Sequence, residues 1–365
     1  MIKKFLAALI FVAMFCGVSS AHFIYSTTGG ELGLVSVYGP ESIDLEGVQY
    51  ESDSVNPIIS AYWDHGKARV IFVEPNSDEN DKALRFNSNN LTKPIDSKAF
   101  GLKDVSNTKQ ILSTSSGNGI FFVLDKKIQE LDTEDFEPQR SYEHSGDSEM
   151  KKAIIFDQRI FVLIGDELLR FDGQLSTKPE AFGKWEIKPE ATTITNVTKE
   201  SLAIGYTDGV ELWEDGSVVD LLRTEAPVVA MCNDGGEGFY YITQSTEDGV
   251  TTNSLYHYHS STSDFVAATE GTAAELSLDK NRKVLAAIMD DSIKFYNTSD
   301  SSFIKEFTAD ELGGTPYKLA IGNATGRDED TGGSSCNISG LGILLLITGY
   351  GFVIIARNHF ISESR

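Results

Sequence analysis

The sequence predicts an all-β fold: a seven-bladed β-propeller closed by its N- and C-terminal strands, followed by one C-terminal transmembrane helix. Two observations predict the propeller. Pairs of short apolar strands joined by turns recur along the chain, and few segments have the 3.6-residue period of a helix. In addition, an incomplete unit near the N-terminus and a leftover strand near the C-terminus fit together as one blade. A third observation, a long uncharged apolar segment at residues 338–356, predicts the helix.

The hairpin at residues 284–298 is the clearest unit of the repeat. An apolar run at residues 284–289 meets an Asp-Asp-Ser turn, and an alternating strand follows that ends in Phe295 and Tyr296. The last apolar residue of each hairpin's second strand marks the repeat: Leu45, Phe86, Leu131, Phe171, Trp213, Tyr258 and Tyr296. These markers recur about every 40–45 residues, a period that is typical of β-propellers when the units are built from strands.

Each blade also needs an inner strand before its hairpin. Six segments are inner-strand candidates: residues 57–61, 109–113, 152–156, 192–197, 228–232 and 274–278. The first hairpin, within residues 34–45, lacks an inner strand, whereas residues 317–321 form an inner strand without a hairpin. Pairing the two closes a ring of seven blades and covers exposed strand edges. A ring of six or eight blades, or two stacked β-sandwich domains, is the alternative.

In period and strand pattern, residues 23–322 resemble the broad WD40/YVTN-like propeller superfamily. The Gly-His and Trp-Asp signatures of true WD repeats are absent from the sequence, and residues 212–215 (LWED) come nearest to them. The resemblance implies a rigid ring of blades whose loops carry the function.

Residues 1–21 have the pattern of a secretory signal peptide. Lys3 and Lys4 form a basic start, residues 5–18 form an apolar core, and residues 19–21 (SSA) supply a small-residue cleavage site. We therefore predict an exported protein whose mature chain begins near His22. An uncleaved membrane anchor is the alternative.

The C-terminal part is predicted to anchor the protein. Residues 338–356 are close to the length of about 20 residues that a helix needs to cross a bilayer. Arg357 follows directly, and basic residues favour the cytoplasmic side, so residues 357–365 are predicted to be a cytoplasmic tail. Residues 323–337 have the composition of a flexible linker that holds the propeller, residues 22–322, outside the membrane. A buried core segment is the alternative to the transmembrane helix.

The linker ends in a short motif composed of Gly332, Gly333, Ser334, Ser335, Cys336 and Asn337. With the apolar segment and Arg357 behind it, this motif resembles bacterial C-terminal sorting signals, most of all the Synergist-CTERM type. The resemblance implies that Cys336 is the residue at which the tail is recognised or modified. The sequence departs from that pattern in its single Arg directly after the helix and in the polar extension at residues 358–365.

Charge and composition exclude several classes of function. The net charge of −23 repels phosphates and disfavours binding to nucleic acid. Three cysteines are too few for a disulfide scaffold. The sequence contains no G-x-S-x-G, H-E-x-x-H, P-loop or C-x-x-C motif, so no specific catalytic activity is predicted.

The turns of the repeat carry aspartates at equivalent positions: Asp125, Asp166, Asp208, Asp290 and Asp291. Equivalent hairpin turns lie on one rim of a propeller, so these carboxylates are candidates to ring the channel mouth and attract Ca²⁺ or a cationic ligand. The alternative is that Asp is favoured in tight turns because its side chain accepts hydrogen bonds from nearby backbone N–H groups.

These observations together predict a non-catalytic binding or scaffold module, anchored in the membrane at the bacterial cell envelope, that presents a rim to a protein or glycan partner. One alternative is a propeller hydrolase or lactonase with a metal ion in the central channel. Another is an envelope protein-assembly factor with a groove that accepts a peptide strand.

Overall fold

The structure, a computed structural model, describes residues 21–64, 67–74, 82–88, 90–99, 108–113, 119–133, 136–156, 159–172, 183–198 and 200–323. The predicted signal peptide up to residue 20, the linker from residue 324, the sorting motif at residues 332–337, the transmembrane helix and the tail with Arg357 all lie outside these residues. Within the described ranges, no helix has the length and apolar character needed to cross a bilayer.

The described strands form seven four-stranded antiparallel sheets, which confirms the seven-bladed propeller. Blade 1 contains β1 (Ala21–Thr27), β2 (Glu31–Gly39), β3 (Ser42–Glu51) and, from the far end of the chain, β28 (Pro316–Asn323). Blade 2 contains β4 (Ile58–Asp64), β5 (Lys67–Glu74), β6 (Lys82–Asn87) and β7 (Asp96–Ala99). Blade 3 contains β8 (Gln110–Ser113), β9 (Ile120–Val123), β10 (Lys127–Leu131) and β11 (Pro138–Glu143).

Blades 4 to 7 follow in chain order. Blade 4 contains β12 (Met150–Phe156), β13 (Arg159–Ile164), β14 (Glu167–Asp172) and β15 (Lys184–Glu186). Blade 5 contains β16 (Thr193–Asn196), β17 (Ser201–Gly205), β18 (Gly209–Glu214) and β19 (Ser217–Arg223). Blade 6 contains β20 (Val228–Asn233), β21 (Phe239–Glu247), β22 (Val250–His259) and β23 (Thr262–Glu270). Blade 7 contains β24 (Glu275–Asp279), β25 (Val284–Ile288), β26 (Ser292–Asn297) and β27 (Phe303–Thr308).

The inner strands close into a ring around a central channel. Each inner strand contacts the next, in the order β28, β4, β8, β12, β16, β20 and β24, and β24 returns to β28. A short helix, α1 (Ala309–Leu312), leads from blade 7 into β28. The hydroxyl of Tyr25 on β1 donates a hydrogen bond to the carbonyl of Leu312 at 3.0 Å, which ties this helix to blade 1.

The closing blade is built from both chain ends as predicted, but the predicted strand pairing within it is wrong. The segment at residues 317–321 pairs with β1, with Phe23 opposite Ile321, and not with the hairpin at residues 34–45. That hairpin supplies the third and fourth strands of the blade, so Leu45 lies on an outer strand. The repeat pattern did not predict strand β1, because Phe23 and Tyr25 pack toward blade 7 while Ile24 packs toward blade 2, so these three successive positions are all apolar and do not alternate.

Apolar side chains fill the space between neighbouring blades. The described buried residues group into seven clusters, one for each junction between blades. Side-chain hydrogen bonds to backbone carbonyls also cross several junctions, for example Ser26 to Pro57 at 3.0 Å, Ser113 to Ala61 at 3.0 Å and Lys305 to Ile43 at 2.7 Å. The apolar clusters explain why the marker residues repeat: six of them lie on the third strands of their blades and pack between two blades, and Leu45, on an outer strand, is the exception.

Candidate functional site

The turns between the second and third strands of the blades lie on one side of the propeller. They carry the five predicted rim residues Asp125, Asp166, Asp208, Asp290 and Asp291. We call this side the Asp-turn face. Asp125 forms an ion pair with Lys109 at 2.9 Å, whereas Asp166, Asp208 and Asp291 are exposed.

Asp290 is held within its own turn and by the end of the preceding blade. It accepts hydrogen bonds from the Thr269 hydroxyl (2.8 Å), from the Ser292 backbone N–H (2.9 Å) and from the Lys294 ammonium. Burial acts to raise the pKa of Asp290, but these donors, Lys294 foremost, hold that pKa below its ordinary value. Its role in the turn is therefore accounted for by local partners.

The described residues do not assemble a metal site from the turn carboxylates. No group of three or more His, Cys, Asp or Glu side chains within the described ranges is arranged to hold a metal ion. The five turn aspartates share a face, as their repeat positions predict, but they come from four blades, with Asp290 and Asp291 adjacent in one turn of blade 7.

The central channel contains a recess of about 220 Å³. Its charged lining residues are Lys109, Lys152, Glu275 and Lys318, contributed by the inner strands of blades 3, 4, 7 and 1 or by the residue just before them. Inner strands of a propeller run in the same direction, and each begins at the Asp-turn face. Because these four residues lie at or near the starts of their strands, they cluster at the Asp-turn end of the channel.

The two lysines deepest in this recess differ in their surroundings. The Lys318 ammonium lies 3.2 Å from the Glu275 carboxylate, and this charge raises the pKa of Lys318 although burial opposes it. Within the described part of the chain, no acceptor lies within hydrogen-bonding distance of Lys152 Nζ. Burial lowers the pKa of Lys152; the charge of Glu275 opposes that shift and the charge of Lys318 adds to it.

A second recess, of about 540 Å³, lies between blades 5 and 6 on the opposite face. We call it the blade 5–6 cleft. Its lining is rich in hydroxyl and carboxylate groups: Thr198, Ser201, Glu214, Asp220, Asp234, Glu237, Tyr258, His259, Ser260 and Ser261, with Val197, Leu212, Val219 and Gly238. The cleft offers four carboxylates to a ligand and one histidine.

Hydrogen bonds between the two blades fix the base of the cleft. The Asn233 amide donates to the carbonyls of Asn196 (3.0 Å) and Val197 (2.9 Å), so blade 6 is fastened to the turn of blade 5. Asp234 accepts hydrogen bonds from His257 (3.0 Å) and from two backbone N–H groups of its own turn. Burial acts to raise the pKa of Asp234, but these bonds, that of His257 foremost, hold the pKa below its ordinary value.

A buried carboxylate fixes the strand next to the cleft. Glu211 on β18 accepts hydrogen bonds from Tyr206 (2.8 Å) and Trp213 (3.1 Å) and forms an ion pair with Lys188 at 2.9 Å. Each of its partners comes from blade 5 or from the segment just before it. This network holds β18 rigidly, and β18 in turn positions the outer strand β19.

Strand β19 is the outermost strand of blade 5 and exposes three large aliphatic side chains. Val218, Val219 and Leu221 are 48, 53 and 42 % exposed, and Val219 also lines the blade 5–6 cleft. The outer strand β11 of blade 3, with the sequence PQRSYE, carries no aliphatic side chain apart from its proline. The outer strands β23 and β27 each expose one large apolar side chain, Phe265 and Phe303, so β19 differs in exposing three aliphatic side chains.

The sequence repeat predicts the turn aspartates, but it does not predict the channel residues or the cleft. Lys152, Glu275 and Lys318 lie on separate blades, and their approach depends on the closure of the ring. One signal was present in the sequence: each is a charged residue at or near the start of an inner strand. The β19 edge had a signal too, since Val218, Val219 and Leu221 lie close together in a strand that the repeat places on the outside.

Comparisons with known proteins support the fold alone. No family model and no curated protein matches the chain. A structure from Desulfotomaculum acetoxidans, of a protein with unknown function, aligns with a TM-score of 0.59 and 10% identity over 83% of this chain and 98% of that one. A candidate 6-phosphogluconolactonase from Bacteroides uniformis aligns with a TM-score of 0.61 and 12% identity over 83% and 99%. The chain thus has a propeller similar to these two.

Proposed function

We propose that this chain is an exported, membrane-anchored binding module that docks an extended, basic segment of a protein partner along the outer strand of blade 5. The observation that carries the proposal is the apolar edge of β19 beside the acidic blade 5–6 cleft. Export and anchoring rest on the signal-peptide pattern of residues 1–21 and on the apolar segment at residues 338–356.

The β19 edge supports the docking of a strand. An outermost strand presents backbone N–H and C=O groups along its free side, and an extended peptide pairs with such groups as an added strand. Proteins usually protect such edges with charged residues, proline or β-bulges. Strand β19 has exposed Asp220 and Arg223 and a bulge at Val219. It also places Val218, Val219 and Leu221 on its surface, where an added strand can contact them.

The charge of the cleft supports a basic partner. Glu214 and Glu237 are exposed and have no hydrogen bond or ion pair with other described residues, while Asp220 accepts a bond from Tyr258 at 3.3 Å. The whole chain carries a net charge of −23. A lysine or arginine beside the docked strand is therefore attracted to the cleft, more strongly at low ionic strength.

Two other functions remain as alternatives to simple binding. An envelope protein-assembly factor is compatible with the same edge, because it also needs a surface that accepts a strand. A metal-dependent hydrolase or lactonase with calcium or another ion in the channel needs a converging set of ligands, and no observation within the described ranges favours it. The similarity to a candidate lactonase concerns the fold and carries no activity with it.

The docking proposal is tested with a labelled peptide in which Lys and Val alternate. Fluorescence anisotropy measures its binding to the full-length protein in non-ionic detergent at low and high salt. We expect saturable binding that weakens with salt, and a loss of about tenfold in affinity for Val219→Lys. Ser141→Lys, on the outer strand of blade 3, is the matched control and is expected to leave binding unchanged.

A second peptide separates strand pairing from charge attraction. It has the same composition but a central proline, which cannot donate a backbone hydrogen bond. Weaker binding of this peptide supports strand addition at β19. Equal binding of both peptides, or equal loss in the Val219→Lys and Ser141→Lys variants, contradicts the proposal.

Export and anchoring are tested in the host by intact mass and by membrane fractionation of the wild type and of Cys336→Ala. We expect a mature chain that begins near His22 and, in the wild type, ends near Cys336 or carries a modification there. A full-length tail in both variants, extracted only by detergent, shows a plain transmembrane anchor instead. A chain that keeps residues 1–21 and stays in the cytoplasm contradicts export.

A further inference from the structure

The central channel holds a positively charged recess that the docking surface of blade 5 does not explain. Its volume is about 220 Å³, and its charged groups are two lysines, Lys152 and Lys318, and one carboxylate, Glu275. Lys109 lies at its end and forms ion pairs with Asp125 at 2.9 Å and with Glu149 at 2.7 Å. With both lysines protonated, the group of Lys152, Lys318 and Glu275 carries one net positive charge inside a strongly acidic protein.

The uncompensated charge belongs to Lys152. Glu275 lies 3.2 Å from Lys318, so its carboxylate is already engaged. Lys152 Nζ has no acceptor within hydrogen-bonding distance among the described residues, and its neighbour Lys318 repels it. Lys152 is only partly exposed; an ammonium group partly withdrawn from water and left without an acceptor is unfavourable, and an anion in contact with it lowers that cost.

The neighbouring lysine shows that this arrangement is specific. Lys151 points the other way and donates hydrogen bonds to the carbonyls of Pro189 (2.8 Å) and Ala191 (2.9 Å). The fold therefore provides backbone acceptors for Lys151, which connects blade 4 to blade 5. Lys152, the next residue, faces the channel recess and has no such acceptor among the described residues.

We propose that the central channel binds a small organic monoanion, whose carboxylate contacts Lys152 Nζ and is further attracted by Lys318. A single negative charge balances the net charge of Lys152, Lys318 and Glu275. The volume exceeds the roughly 150 Å³ of an engineered protein cavity that holds benzene, so a carboxylate with an aliphatic or aromatic body of that size fits. The aliphatic side chains that line the recess, such as Ile58 and Leu319, contact that body.

Calorimetric titration of the full-length protein in detergent tests this site with butyrate and benzoate as probes. Butyramide is the matched uncharged probe, and inorganic phosphate tests the other source of negative charge. We expect one site for the carboxylates, at least a tenfold loss of affinity in Lys152→Met, and no change in Lys93→Met, which removes an exposed lysine. Equal binding of butyramide, or tighter binding of phosphate than of either carboxylate, overturns the proposal.

A second variant is expected to bind butyrate more tightly, which distinguishes a specific effect on the site from general damage to the fold. Glu275→Gln removes the competing carboxylate and leaves both lysines, so we expect it to bind butyrate more tightly than the wild type. In the wild type, affinity should fall as rising pH removes the proton from Lys152, because its pKa is lowered whereas the pKa values of Lys109 and Lys318, the other two lysines that face the recess beside Glu275, are raised. Weaker binding by Glu275→Gln, or unchanged binding by Lys152→Met, overturns the proposal.

Discussion

The junction between blades 6 and 7 and the central channel both enclose polar side chains, but the channel leaves one of its described groups, Lys152, without a hydrogen-bond partner. Asn253 is fully buried, and the carbonyls of Gly271 (3.0 Å), Ala273 (2.7 Å) and Met289 share the two N–H groups of its side-chain amide. Lys152 in the channel has no such acceptor among the described residues. We conclude that a polar group with hydrogen-bond partners inside the fold stabilises the fold, whereas a polar group without such partners is available to a ligand.

The largest effect is expected from the satisfied group. Asn253→Ala leaves three carbonyls at the junction without their donor, and we expect a loss of about 3 kcal/mol in the free energy of unfolding. Urea unfolding followed by intrinsic fluorescence measures it. The control is Asn297→Ala, which removes only an acceptor of the exposed Ser299 N–H. Equal losses in the two variants contradict the structural role of Asn253.

In the channel, we expect a substitution to raise the free energy of unfolding. Without ligand, Lys152→Met removes an unpaired charge and should raise the free energy of unfolding by about 1–3 kcal/mol at neutral pH. The folded-state pKa of Lys152 is lowered, so the unfolded chain binds more protons between that pKa and the ordinary value of about 10.4. Wild-type stability therefore rises with pH across this window, and the advantage of the variant shrinks.

The same pH series on Lys318→Met tests whether the two channel lysines change the free energy of unfolding in opposite directions. This variant leaves the Glu275 carboxylate without its ion-pair partner. It should be less stable than the wild type at neutral pH, because Glu275 raises the pKa of Lys318. A raised pKa contributes stability below the unfolded value, and that contribution is lost as the pH rises through the folded value. Changes of the same sign in Lys152→Met and Lys318→Met contradict the account of the recess.

A smaller effect is expected at the Asp-turn face. Asp290→Asn keeps the shape of the turn but weakens the bond with Lys294, so we expect a loss of about 1 kcal/mol at neutral pH. The folded-state pKa of Asp290 lies below the ordinary value of about 3.9, so its contribution is present above that value and is lost as the pH falls through the folded pKa. Unfolding measured between pH 2 and 7 checks this; a pH-independent difference contradicts it.

The smallest effect on stability is expected at the docking edge. Val219→Lys changes an exposed side chain of an outer strand, so we expect a change within about 0.5 kcal/mol in the free energy of unfolding. Thermal unfolding of this variant beside the wild type checks it. A much larger loss shows that the edge supports the fold, and the peptide experiment then needs a milder variant.

The repeat could be predicted from the sequence because each blade contacts its neighbours in the same way. The hairpin of β25 and β26, at residues 284–297, has its buried apolar face set by local residues, and its equivalents recur in the other blades. Blade 1 was the exception. Its second strand β1 is buried on both sides, so it has no alternation, and the hairpin of β2 and β3 was assigned one position too far inward.

The candidate sites could be predicted only in part, because they depend on distances between blades. The turn aspartates were found since they occupy one repeat position, and the structure places them on one face without joining them. Lys152 and Glu275 are separated by three blades along the chain, and only ring closure brings them into one recess. The negative net charge of the chain also indicates a site where carboxylates bind cations, and it gives no indication of two lysines in the channel.

The most direct test of the difference between satisfied and unsatisfied groups is the thermal unfolding of wild type and Lys152→Met, each with and without saturating butyrate. We expect the ligand-free variant to melt at a higher temperature than the ligand-free wild type. We expect butyrate to raise the melting temperature of the wild type and to leave that of the variant unchanged. An equal shift in both proteins, or a lower melting temperature for the ligand-free variant, contradicts the account.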